Sequence, residues 1–163
     1  MARKAFYSFH YKKDGWRVSQ VRNIGKLEAD GPLSDNDWEQ LKRKGDAAVK
    51  NWIDSQMFGK SCCVVLVGEQ TASRRWVKYE ISESWKSKKG IVGIRIHNLL
   101  DGEGNKSSAG PNPFDNFKVD GQPLSSIVKL YNPSGADSKS VYATISNNIA
   151  EWAEEAVAIR KNY

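Results

Sequence analysis

The sequence predicts a three-layer α/β sandwich, a sheet of four to five mostly parallel strands with helices on both faces. Three observations carry that expectation. Cys62-Cys63-Val64-Val65-Leu66-Val67 is a continuous apolar run of strand length, Ile91 to Ile96 (IVGIRI) is a second, and the segments around them have helical apolar spacing. An unbroken apolar run, rather than an alternating one, is what a strand covered by helices on both faces requires.

Taken in order, Ala5 to Tyr11 (AFYSFHY) is aromatic-rich and suits a buried first strand, with Asp14 and Gly15 as the turn after it. Trp16, Val18, Val21 and Ile24 follow at mixed helical spacing, and Lys26-Leu27-Glu28 offers a weak edge strand before Gly31-Pro32 punctuates the chain. Ser34, with Asp37 three residues on, resembles a capping box. It opens a helix with the stripe Trp38, Leu41, Ala48, Val49, Trp52 and Ile53, which Gly59 ends. Ser73 is placed to cap the next helix, whose stripe is Val77, Ile81 and Trp85 and which Lys88-Lys89-Gly90 closes. Residues 98–125, rich in Gly, Asn, Ser and Pro, read as a long excursion, and loops of that length are functional or mobile. Ile127 to Tyr131 is a last short strand, and Val141, Ile145, Ile149, Trp152, Ala156 and Ile159 run down one face of a C-terminal helix. With no repeat and no linker, residues 1–163 read as one domain.

Composition narrows the function. A chain of 163 residues buries roughly 70% of its unfolded surface and needs no disulfide or metal staple. Cys62 and Cys63 are strand neighbours that point to opposite faces. There is no CxxC, and His10 and His97 are far apart, so no metal site is expected. Met1-Ala2-Arg3-Lys4 does not begin a signal peptide, and no window approaches the ~20 apolar residues of a membrane span, so a cytoplasmic protein with no membrane partner is expected. The net charge of +6 comes from clusters such as Lys42-Arg43-Lys44, Arg74-Arg75 and Lys86 to Lys89. These fit a solvated surface or attraction for a phosphorylated metabolite. Nucleic acid is not the expected partner, because no binding motif occurs and the aromatic residues fall at core-periodic positions.

Ligands of doubly wound folds sit at the carboxyl ends of the strands. That places the site at Phe9 to Asp14, the loop after Leu27, Gly68 to Ser73 and the residues past Ile96. No GxGxxG, GxxxxGK[ST] or GxSxG occurs. A receiver-type phosphotransfer domain needs acidic residues where Ser8, Phe9 and His10 stand. The informative segment is Gly68 to Glu83 (GEQTASRRWVKYEISE). At ~100° per residue Trp76 and Glu80 share one face beside the apolar stripe. Glu80 is then within two turns of the ligand crevice, at the border of core and solvent. Taken alone, such a glutamate is more simply a surface partner for lysine, and Trp76 a packing residue.

Ser73-Arg74-Arg75-Trp76-Val77-Lys78-Tyr79-Glu80 resembles the Ser-x-x-Trp-x-x-x-Glu element that follows the third strand of TIR domains, and Ala5 to His10 resembles their first-strand motif. FYSFHY, Val21-Arg22-Asn23, SRRWVKYEI and the Gly110 to Asp115 loop (GPNPFD) are similar to the TIR-like subunit of the bacterial Thoeris antiphage system, in order over most of the chain. The 98–125 excursion and the weak second strand depart from animal and plant TIR domains, so receptor-type partner surfaces are not carried over.

The resemblance implies a flavodoxin-like TIR fold and an enzyme that cleaves NAD, as substrate and not as cofactor. Nicotinamide is released, leaving a linear or cyclic ADP-ribose signal, read in antiphage defence by a separate effector protein; a homo-oligomer is compatible with it. Glu80 is implied as the catalytic residue, with Ser8, Phe9, His10 and Trp76 binding substrate and no metal. The chemistry agrees. Nicotinamide leaves from a cationic N-glycosidic bond without a general acid, and a carboxylate stabilises the oxocarbenium-like ribose that develops. Phe9 is as well placed for the core, and His10 for a structural role. Trp38 and Lys42 approach the same region with no assigned role, Glu83 is a solvated partner for lysine, and Asp101 and Asp115 have none. Two other readings compete: a non-catalytic TIR-like interaction module, and a basic flavodoxin-like domain that binds nucleotide or nucleic acid without cleaving it. The complete Ser-x-x-Trp-x-x-x-Glu element favours the enzyme, since a pure scaffold has no need of the glutamate.

Overall fold

Both apolar runs become strands at the middle of the molecule. A computed structural model describes residues 2–31 and 33–163, so Met1 and the Pro32 of the Gly31-Pro32 pair lie outside the described residues. The strands are β1 (Ala5–Ser8), β2 (Cys62–Val67), β3 (Gly90–Arg95), β4 (Lys118–Val119), β5 (Gln122–Pro123) and β6 (Lys129–Tyr131). β1, β2, β3 and β6 form a four-stranded parallel sheet in that order, with Ser8 beside Val65 and Val67 beside Arg95. β4 and β5 pair as a small antiparallel hairpin.

The expected edge strand at Lys26-Leu27-Glu28 contracts to a single parallel bridge, Lys4 to Glu28, with Glu28 N donating to Arg3 O at 2.9 Å and Ala5 N to Glu28 O at 2.8 Å. That bridge lies beside β1, away from β2, which gives the flavodoxin-like strand order.

Strand alternation splits the core in two. Ala5, Tyr7, Cys62, Val64, Leu66, Val92 and Ile94 pack under α1 (Tyr11–Arg22) and the C-terminal helix. Phe6, Cys63, Val65, Val67 and Ile91 pack under α2 (Asp35–Arg43), α3 (Asp46–Met57) and α4 (Arg75–Lys86). That C-terminal helix, α5 (Ser138–Arg160), is capped by Asp137, whose side chain accepts from Ser140 N at 2.8 Å.

Several expectations need correction. β1 stops at Ser8, and Asp14 and Gly15 lie inside α1 rather than in a turn. The Asp-Gly turn signal is overridden because Asp14 is buried against Arg17, at 3.4 Å, and so belongs to the inner face of the helix. Trp16 points outward at 62% exposure.

The helix opened by Ser34, whose Oγ accepts from Asp37 N at 3.1 Å, breaks in two at Gly45, where φ is 103°. Only glycine adopts that conformation without strain. Ser73 is not the cap of α4. It sits in a 3-10 turn, Thr71–Ser73, donates to Gln70 O at 3.0 Å, and leaves Arg74 as the residue before the helix. Gly90 opens β3 instead of closing α4: the helix ends at Lys86, the left-handed residue after it is Lys88 at φ 61°, and Gly90 is held to glycine by α5, since a Cβ there would lie 2.5 Å from Val157 N.

The 98–125 excursion is a packed element. It contains the β4–β5 hairpin and two 3-10 turns, Pro113–Asn116 and Leu124–Ser126, and it buries Leu99, Phe114 and Leu124. Its Gly110 lies against the carbonyls of Gly68 and Glu69 just past β2, with no room for a Cβ. Among the described residues no helix is long and apolar enough to cross a membrane.

Candidate functional site

Alternation along β1 turns Ser8, like Phe6, toward the face covered by α4. On α4, residues Val77, Glu80, Ile81 and Ser84 share the buried face, the i, i+3, i+4, i+7 set of one helical side. Glu80 is therefore part of the inward stripe and only 6% exposed, which corrects the expected place at the border of core and solvent. Ser84 is fully buried where the stripe was expected to continue through Trp85, and Trp85 is half-buried.

Ser8 Oγ donates to Glu80 Oε1 at 2.7 Å across the top of the sheet. Burial pushes the Glu80 carboxyl up to about 8, and the hydroxyl of Ser8 pulls the other way by favouring the carboxylate.

Above this pair, at the carboxyl end of β1, lies a cleft of about 220 Å³ between the start of α1, α2 and the start of α4. Phe9, His10 and Trp76 line it together, and so do Trp38, Lys42 and Arg74. Ser8, expected to bind substrate, and Glu80 are not among the lining residues; both are buried, Ser8 next in sequence to Phe9 and Glu80 one helical turn on from Trp76 and Val77. Phe9 does both jobs foreseen for it, packing in the core beneath α1 while its ring forms part of the cleft.

A series of aromatic rings runs along one side. Phe9 and Tyr11 have centroids 4.4 Å apart, Tyr11 stacks on Trp38 at 4.6 Å and 11°, and Trp38 meets Trp52 at 6.0 Å. Flat surfaces of this kind receive flat rings.

His10 is not a satisfied structural histidine. Its Nδ1 is buried without a partner among the described residues. Burial, then the charges of Arg74, Lys13, Lys42 and Lys12, hold the imidazole below its ordinary pKa and so neutral at pH 7.

Trp38 and Lys42, four residues apart on α2, do face the cleft, and their i, i+4 spacing was a legible signal. Tyr11 and Lys12 fall within the Phe9 to Asp14 segment expected at the site, whereas Glu39, Arg74 and Arg75 line the cleft without having been singled out as site residues from the sequence. Tyr11 opens α1 instead of closing the first strand, which brings it and Lys12 to the rim. Glu83 pairs with Lys86 at 3.6 Å, as expected. Asp101 Oδ1 accepts from the backbone of Glu103 and Asn105 at 2.9 Å each while its Oδ2 lies 3.8 Å from Arg17 of α1, and Asp115 accepts from Ser125, so Asp101 ties the excursion to α1 and Asp115 has a role internal to it.

Residues 6–101 match the model of a family described as "Thoeris protein ThsB, TIR-like domain". The chain belongs to this ThsB TIR-like family. A relative from Bacillus cereus (strain MSX-D12), named "Putative cyclic ADP-D-ribose synthase ThsB1", is 41% identical over 133 residues, covering 76% of this chain and 69% of the relative. Ser8, Phe9, His10, Trp76 and Glu80 all fall inside the ThsB match, and nearly all of the excursion lies beyond it.

Proposed function

We propose that this ThsB-type protein cleaves the nicotinamide–ribose bond of NAD and closes the remaining ADP-ribose into a cyclic signal for a separate effector protein, with Glu80 as catalytic carboxylate. The observation that carries the reading is Glu80 itself, a buried acid held by Ser8 beneath an aromatic-lined cleft at the carboxyl end of a parallel sheet. Membership of the ThsB family and the name of the Bacillus relative support the substrate and product.

The chemistry follows from the charges. When the bond from ribose C1′ to the nicotinamide nitrogen breaks, its electron pair leaves with nicotinamide, which becomes neutral, and positive charge develops on the ribose. An ionised Glu80 stabilises that charge in a dry site where electrostatic interactions are stronger than in water. The cationic nicotinamide ring of the arriving substrate favours the carboxylate and offsets the burial that keeps Glu80 protonated in the free protein. Phe9 and Trp76 flank the flat rings and exclude water. C1′ is then captured by a nucleophilic atom of the same ADP-ribose, which loses a proton, and linear ADP-ribose is the product when water attacks instead. NAD is consumed as substrate, and the scheme uses neither cofactor nor metal.

The test is chromatography of nicotinamide and cyclic product from protein incubated with NAD, with and without extract of infected cells as activator. Glu80→Gln lowers the rate about 10²–10³-fold while NAD affinity changes less. Equal rates would remove Glu80 from the mechanism. Absence of cleavage under every activating condition would make the interaction module the better reading.

A further inference from the structure

The charges around the cleft are unevenly spent. Arg75 donates to both carboxylate oxygens of Asp46, at 3.1 and 2.5 Å, and its guanidinium lies 4.6 Å from the ring centroid of Trp76. Lys42 pairs with Glu39 at 2.9 Å, which engages the acid that lines the cleft, and Lys13 pairs with Glu69. Arg74 and Lys12, exposed on the cleft lining, have no ion pair and no side-chain hydrogen bond among the described residues. His10 lines the same cleft, its Nδ1 unpartnered among the described residues, and feels the positive charge of both. α1 and α4 begin at this same rim, and neither has a side chain capping its first-turn N–H groups, which adds partial positive charge there.

We infer that Arg74 and Lys12 form an anion subsite that holds the diphosphate bridge of a dinucleotide, so that the cleft selects dinucleotides over mononucleotides and nucleosides. The site stands on the cleft's geometry, and the dinucleotide's identity rests on the proposed NAD reaction. A diphosphate carries two adjacent negative groups, and two separate uncommitted cations on one rim answer that pattern. A guanidinium grips phosphate oxygens in a fork, and an ammonium acts as a point charge. The aromatic series from Phe9 to Trp38 and the ring of Trp76 remain for the bases at either end.

His10 gives a readout independent of turnover, because the chain has only two histidines and a His10→Gln variant identifies its signal. Inorganic diphosphate and ADP-ribose are titrated into the whole protein while the imidazole resonances are followed by NMR. Both probes should bind and raise the pKa of His10 by neutralising the cations around it. Arg74→Gln and Lys12→Gln should each weaken binding about tenfold, as loss of a charge-assisted hydrogen bond does. Lys78→Gln, on the outer face of α4, should leave binding unchanged. The same two cleft variants should raise KM for NAD more than they lower kcat.

The subsite is overturned if diphosphate leaves His10 unmoved, if inorganic monophosphate binds as tightly as diphosphate, or if both variants bind like wild type. Glu80-dependent cleavage of NAD with KM unchanged in Arg74→Gln and Lys12→Gln also overturns it while leaving the reaction standing. Diphosphate binding that depends on both residues in a protein that never cleaves NAD supports the subsite and overturns the reaction.

Discussion

Glu80→Gln should make the protein more stable at neutral pH relative to acid, even as it removes activity. The carboxyl is held at about 8 in the folded protein against an ordinary 4.5. A carboxyl whose folded pKa is raised binds its proton more tightly folded than unfolded. Its contribution is therefore complete below pH 4.5 and is lost as pH rises toward 8. At ~1.4 kcal/mol per pH unit the full loss is about 5 kcal/mol, of which about 3 kcal/mol has gone by pH 7. Set against the ~5–15 kcal/mol that holds a domain folded, this is a large term.

Glutamine cannot ionise and escapes the loss. Its amide oxygen accepts the same Ser8 hydroxyl, and any constant cost of its buried NH₂ cancels when one pH is compared with another. Urea denaturation of both proteins at several pH values from 4.5 to 8 measures the difference. The stability of the variant relative to wild type should grow by about 3 kcal/mol between pH 4.5 and 7. Parallel stability curves would refute the reasoning, and so would a wild type that gains stability over this range, as an ion-paired carboxylate gives. Activity should follow the same titration in the opposite sense, with kcat/KM rising toward pH 8 as the carboxylate forms and kcat rising at lower pH, because the cationic nicotinamide ring of bound substrate favours the ionised form.

Ser8→Ala removes the hydroxyl that favours the Glu80 carboxylate, so the rising limb of the kcat/KM–pH profile should move to higher pH; an unmoved limb would separate Ser8 from the titration. Trp76→Ala should lower turnover of NAD more than Glu83→Gln, whose side chain is engaged by Lys86, and the reverse order in proteins matched by circular dichroism would point to the wrong face of α4. Val65→Asp places an unpaired charge in a strand buried on both faces, with parallel neighbours on either side, and should abolish cooperative unfolding. Unchanged thermal unfolding would contradict the central position of β2.

What the sequence disclosed, and what it concealed, follows from the range of the forces involved. Cys62 to Val67 and Ile91 to Ile96 were legible because burial on both faces leaves an unbroken apolar run, a local mark of a tertiary fact. Ser34 was legible because its cap lies three residues away. The start of α1 was not, because AFYSFHY continues its aromatic pattern past Ser8 and only the contact between Asp14 and Arg17 shows the later residues to be helical.

The break at Gly45 and the strand role of Gly90 depend on a backbone angle and on the approach of α5, neither of which a residue pattern encodes. Likewise the site motif singles out Glu80 on α4. Its depth depends on β1 delivering a small polar residue, Ser8, 72 positions away in sequence.

The inward face of α4 would be more stable with an apolar residue at position 80, where Val77 and Ile81 flank the acid and burial opposes its charge. The other unsatisfied polar atoms have a matching distribution. Buried side-chain atoms without partners among the described residues belong to His10, Asp14, Ser84, His97 and Ser107. Four of these residues lie at the carboxyl end of the sheet: His10 and Asp14 after β1, His97 after β3, and Ser107, whose backbone donates to His97 O at 2.9 Å. A chain selected for stability alone would scatter such defects or remove them. Of the four, His10 lines the cleft itself, and with the uncommitted cations Arg74 and Lys12 beside it presents polar groups that a ligand can satisfy. It follows that a ligand filling this end should raise stability by more than its direct contacts with Arg74 and Lys12 account for, because it also satisfies His10 and offsets the charge penalty of Glu80.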